Sequence, residues 1–238
     1  MDNPVYNKVK QDEEVIVNPT QSIRDGNWVQ NGNKGVFLGL PNIFDSSSYI
    51  KKQIIFSSFE SSTGWGGGTA GSKTFAIGSL LMQTTTTINT DVQVKDGSAG
   101  VENRIGYISK NPEFSCGLSF GHSTNQTIYF GMGDLDPYNT QQGLGFKRVN
   151  ETIYALSMNG GVESLTEITG LSLFNVYRVR LDSKTKKAYF YVNGILKATH
   201  SSNIPTSEDD IHINFFMNNT AAENKYIIVT FVLFQQDR

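Results

Sequence analysis

The stretch from Val176 to Pro205, VYRVRLDSKTKKAYFYVNGILKATHSSNIP, constrains the fold more than any other part of the chain. Tyr177, Val179 and Leu181 alternate with Arg178 and Arg180, the period of a strand that buries one face. Asp182 to Lys187 breaks that period with a polar, charged turn, and Tyr189 to Val192 resumes it. Asn193-Gly194 is the dipeptide a type I′ hairpin favours, because both central residues take positive φ there. Ile195 to Thr199 then returns as a third strand. A chain with this segment is committed to antiparallel sheet.

The pattern repeats from Gln53 onward. Candidate strands run over 54–59, 75–82, 88–94, 104–108, 114–121, 127–131, 144–149, 152–158, 211–217 and 226–234, with turn residues between them and no helical stripe. The last, YIIVTFVLF, is apolar on both faces, which predicts a strand in the middle of a covered sheet. Residues 1–52 read differently. They carry the charged run Lys8 to Glu14, then Asn-rich segments with Pro4, Pro19 and Pro41. So short a piece rarely supports its own core, so it is expected to be an arm packing on a main domain over 53–238.

Hydrophobic residues make up 38% and charged residues 18%, so Asn, Thr, Ser, Gln and Gly must cover the surface. That leans toward an extracellular setting or the surface of an assembly such as a virion. The net charge of −2 offers no general attraction to nucleic acid or to an anionic membrane. No apolar run approaches the roughly 20 residues needed to span a bilayer. The first residues, MDNPVYNKVKQDEEV, hold no apolar core of a signal peptide. A single cysteine, Cys116, excludes an internal disulfide and a Cys-based metal site, and its neighbours Phe114, Leu118 and Phe120 predict a buried thiol.

The run Tyr177-Arg178-Val179, a polar turn, Phe190-Tyr191-Val192-Asn193-Gly194, a short return strand and Asn203-Ile204-Pro205 resembles the concanavalin A-like lectin/glucanase superfamily, which includes laminin-G-like modules. Phe59-Glu60 followed by Trp65 looks like the opening of the same sandwich. The resemblance covers 53–238 and implies an all-β fold, a two-sheet antiparallel jelly roll. On function it implies little, because this fold hosts hydrolases, lyases, lectins and scaffolds.

Hydrolases of the superfamily place two carboxylates on one strand facing one cleft, and the E-x-D-x-x-E pattern is absent. The nearest acid pairs are Glu163 with Glu167 and Asp134 with Asp136, the latter followed by Pro137. The lyase motifs are also incomplete: Tyr129-Phe130-Gly131 lacks the lysine of Y-F-K-x-G, and Ile211-His212-Ile213 lacks the glutamine of Q-I-H. His122, His200 and His212 share no metal spacing, and His212 is expected to face outward from a strand. Asp134, Asp136 and Asn139 are hard oxygen ligands of the kind that hold Ca²⁺, but their spacing reads as a solvated acidic loop without a metal. Gly64-Trp65-Gly66-Gly67-Gly68 reads as a loop whose tryptophan either caps the core or stacks on a sugar.

These readings predict a non-catalytic recognition module with no cofactor. It would bind a glycan or cell-surface ligand through Trp65, Tyr107, Tyr129, Asp134, Asp136 and Asn214. The alternative is an assembly protein whose sandwich packs against copies of itself or against virion subunits. A polysaccharide hydrolase or lyase ranks third. Nucleic-acid binding and membrane insertion are not expected.

Overall fold

A computed structural model describes residues 52–57, 65–66, 70–76, 78–96, 106–135, 142–206 and 211–237. Among these, strands β1 (Lys52–Ser57), β3 (Ser72–Ala76), β4 (Ser79–Gln83), β6 (Glu113–Phe120), β11 (Phe174–Asp182), β12 (Lys187–Val192), β13 (Ile195–His200) and β15 (Tyr226–Asp237) form an eight-stranded sheet. A seven-stranded sheet holds β2 (Trp65–Gly66), β5 (Asp91–Asp96), β7 (Gln126–Gly133), β8 (Gln142–Val149), β9 (Thr152–Asn159), β10 (Val162–Ile168) and β14 (Ile213–Asn219). The first runs β13-β12-β11-β6-β15-β4-β3 with β1 also on β15, and the second β10-β9-β8-β7-β14-β5-β2. All the pairings are antiparallel, as the hairpin signals require.

The final strand takes the central place that its two apolar faces predict. β15 pairs with β6 along one side. On the other it pairs with β4 through Tyr226–Val229 and with β1 through Val232–Asp237. Its register shifts between Val229 and Phe231, a bulge at Thr230. Ile227, Val229, Val232 and Phe234 enter the core between the sheets, which also holds Phe130, Phe146 and Tyr177. The rings of Phe130 and Phe146 stack at 5.3 Å, and Tyr177 meets them edge-on at 4.9 and 5.1 Å. Burial pushes the Tyr177 phenol and the Cys116 thiol well up, so both stay protonated, and the cysteine is inert.

The segment 176–205 folds as expected. β11, β12 and β13 are antiparallel, and the turn residues Asn193 and Gly194 have φ of 50° and 78°. Four local readings change. The run 75–82 is a hairpin, β3 and β4, turning at Gly78 (φ 82°). Ile88 is exposed in a turn, and β5 starts at Asp91. Gly106 makes an isolated bridge to Ile211, followed by a 3-10 turn over Ile108–Lys110. Trp65-Gly66, expected to be loop, pairs with Asp96 and Lys95. Residues 1–51 of the expected arm lie outside the described residues.

Candidate functional site

In the seven-stranded sheet, period-two alternation sends Phe130, Phe146, Ala155 and Phe215 into the core. It therefore turns Tyr129, Gly131 and Gly133 of β7, Gly143, Gly145 and Lys147 of β8, Leu156 and Met158 of β9, and Asn214 and Phe216 of β14 to the outer face. On β10, Ile168 enters the core, so Glu163, Leu165 and Glu167 share that outer face.

The middle of this face is bare backbone, against which Leu135 packs. A Cβ on Gly145 would sit 2.2 Å from the Phe130 carbonyl oxygen, and one on Gly143 would sit 2.4 Å from Leu135 Cδ2. Leu135 is fully buried there. Its N–H donates to the Gly133 carbonyl (3.0 Å), and its own carbonyl accepts from Asn214 Nδ2 (3.0 Å). Beside it, Tyr129, Leu156, Met158 and Phe216 form a second apolar cluster outside the main core.

A polar centre flanks that cluster. Lys147 Nζ donates to Glu163 Oε2 at 2.7 Å, and the Tyr129 hydroxyl donates to Glu163 Oε1 at 3.3 Å. Lys147 Nζ also lies 5.1 Å from the centre of the Tyr129 ring. Burial lowers the Lys147 pKa, but its hydrogen bonds to Glu163 and Tyr129 outweigh that effect and hold it above the ordinary lysine value. Tyr129 is raised chiefly by burial. At neutral pH both are therefore donors, and both oxygens of Glu163 are aimed by the chain itself. Glu167 is exposed four residues along the same strand.

Three of the six residues singled out in the sequence meet on this face. Tyr129 is only 5% exposed, Asn214 is fully buried, and Asp134 pairs with Lys95 at 3.4 Å. Trp65 lies in the edge strand of the same sheet, with its side chain outside the described residues, as is all of Asp136. Tyr107 sits elsewhere: it is exposed ahead of the 3-10 turn, and its N–H donates to Gln236 Oε1 at 2.8 Å. His212, expected to face outward, is buried. Sequence reasoning missed the Lys147–Glu163 contact because it missed β10. The signal was Gly160-Gly161 after β9, whose φ of 58° and 77° make a hairpin turn.

A second polar group joins the edges of the two sheets. Ser157 Oγ lies 2.9 Å from both the Ser202 carbonyl and His200 Nδ1. The serine gives its one proton to the carbonyl, so it accepts from His200 Nδ1–H, and Nε2 accepts from the Thr166 hydroxyl (2.9 Å). A serine oriented this way has no base and is not a nucleophile. Among the described residues no three His, Cys, Asp or Glu side chains gather to hold a metal ion.

No family model matches the chain, and no curated protein matches it in sequence. Solved structures do. A Bacillus licheniformis β-glucanase is similar with a TM-score of 0.56 at 12% identity, covering 76% of this chain and 97% of its own. A prokaryotic β-1,3-1,4-glucanase (lichenase) from a mouse hindgut metagenome gives 0.56 at 10%, covering 76% and 98%. The carbohydrate recognition domain of Emp47p gives 0.53 at 12%, covering 73% and 89%. The solved structures sharing this arrangement are mostly glycoside hydrolases, which corrects the expectation of a non-catalytic recognition module. The physical reason is that the missing motif excludes only one spacing of carboxylates along a strand, and β10 carries Glu163 and Glu167 on one face at another. The comparisons lend no support to the assembly role. The chain has the concanavalin A-like jelly-roll fold.

Proposed function

We propose that this chain acts on a glycan as a polysaccharide hydrolase, using the outer face of the seven-stranded sheet. The observation that carries the reading is the carboxylate pair on β10. Glu163 and Glu167 share one face of one strand, and Lys147 and Tyr129 hold both oxygens of Glu163. Hydrolysis of a glycosidic bond needs one carboxyl group to protonate the leaving oxygen and another to activate water or attack the sugar. Four residues of strand put the two Cα atoms about 13 Å apart. Glutamate arms leaning toward each other then reach the separation of about 6.5–9.5 Å that admits a water molecule and inverts the anomeric centre. Glu163, fixed by its two donors, orients that water as the base. Glu167, exposed to solvent, delivers the proton to the leaving oxygen.

The similar glucanases make a β-linked glucan the first substrate to try. The test is incubation with mixed-linkage β-1,3-1,4-glucan, laminarin and mucin glycans, following reducing ends and the anomeric proton by NMR. New reducing ends that appear first as the inverted anomer are expected. No release from any of the three by folded protein overturns the reading.

A further inference from the structure

The chain's charge is distributed unevenly, and the imbalance falls far from the face just described. Of 20 Lys and Arg residues, six (Arg178, Arg180, Lys184, Lys186, Lys187 and Lys197) lie between Val176 and His200, with Asp182 the one acid among them. The rest of the chain holds 14 cations against 21 acids. A net charge of −2 therefore conceals a local excess of +5 on β11, β12, β13 and their turns.

The fold gathers these cations rather than scattering them. Val179 and Leu181 of β11 and Ala188 and Phe190 of β12 enter the core, so Arg178, Arg180, Lys187, Tyr189 and Tyr191 face outward from the eight-stranded sheet. Cross-strand register pairs Arg178 with Tyr191 and Arg180 with Tyr189, and the Arg178 guanidinium lies 4.9 Å from the centre of the Tyr191 ring. At the end of these strands a cleft of about 390 Å³ opens beside the turn, lined by Lys184, Lys186, Pro205 and Thr206 among others. Among the described residues three nearby acids are engaged, Asp237 by Asn111 Nδ2 at 2.6 Å. Glu113 binds Arg178 at 2.9 Å. Asp182 Oδ1 accepts from the N–H groups of Lys184 and Thr185 at 3.1 Å each. Arg180, Lys184, Lys186 and Lys187 are exposed.

We propose that this face and its cleft bind an acidic polysaccharide, a chain bearing carboxylate or sulfate groups. Alternate strand positions space the outward residues by about 6.6 Å. That suits a polymer carrying an acid group per sugar, with the tyrosine rings beside the cations supplying flat faces for sugar rings. Duplex DNA carries a charge every 1.7 Å or so, and the acids elsewhere on the chain repel so dense a polymer. This surface lies on the opposite sheet and does not rest on the hydrolase reading.

The test is retention of the full chain on immobilised heparin and on polygalacturonate, eluted with NaCl. Retention on at least one is expected. Lys184→Ala/Lys186→Ala and Arg180→Ala/Lys187→Ala should elute at lower salt, with affinity for the soluble polymer reduced about tenfold, the scale of one pairing with a charged group. A neutral β-glucan matrix should show no difference between variants and wild type. Three results overturn the proposal: no retention on either acidic matrix, elution of the variants with the wild type, or equal retention on DNA with the same sensitivity to the variants. Glu208, Asp209 and Asp210 follow Thr206 in the sequence. Binding seen only when these three are changed to Gln, Asn and Asn would also overturn it, by assigning the surface to the chain's own acidic run.

Discussion

Gly145 shows how a missing side chain shapes the seven-stranded sheet. An alanine there places its methyl 2.2 Å from the Phe130 carbonyl, and backbone cannot move aside as a flexible side chain does. Gly145→Ala should lower the free energy of unfolding by about 1–3 kcal/mol in a urea titration. Gly160 provides the contrast: its φ is 58°, but nothing lies within 4 Å of a Cβ. Gly160→Asn, a residue that tolerates this backbone, should stay within about 0.5 kcal/mol of wild type. Read from sequence, glycines mark turns, and Gly78, Gly160 and Gly194 do sit in them. Gly131, Gly143 and Gly145 instead sit within strands, and the close approach that demands them depends on which strand becomes the neighbour. Cys116 was legible because its flanking apolar residues bury it whatever the sheet order.

Between elements, His200 of β13 links the eight-stranded sheet to Ser157 of β9 and Thr166 of β10. Burial holds its pKa below the ordinary value of 6.5. Between the folded and unfolded values the unfolded chain binds more protons, so stability rises with pH across that window and is lost as pH falls through it. His122 is shifted the same way, again chiefly by burial, and adds to the slope. The urea midpoint of the wild type should fall as pH drops below about 6.5. His200→Gln should be less stable at pH 8 and show a flatter pH dependence, with the remaining slope due to His122. Parallel pH profiles would show that His200 does not carry the effect. β10, which this seam secures, was the strand hardest to see. It alternates Ser164 and Thr166 with Glu163 and Glu167, so neither face is apolar enough to register as a strand in the sequence. The hairpin of β12 and β13 was plain because Asn193-Gly194 dictates its own turn.

Over the whole molecule, β15 holds the eight-stranded sheet together by joining β6 to both β4 and β1. Its two-sided apolarity gave away its central position before any pairing was known. The proposed function was less legible, because the surroundings of Glu163 are assembled across strands. Glu163 meets Lys147 and Tyr129 from two other strands, and no spacing in the chain announces that meeting. The absent E-x-D-x-x-E pattern excluded one spacing of carboxylates along a strand, not the pair that β10 places on one face. The most direct measurement is the rate of reducing-end release from mixed-linkage β-glucan by wild type, Glu163→Gln and Glu167→Gln, with unfolding midpoints taken on the same samples. Release by the wild type, with each variant slowed by about 10²–10⁴ at an unchanged midpoint, is the predicted result. A folded wild type that releases no sugar, or variants as fast as it, would contradict the account.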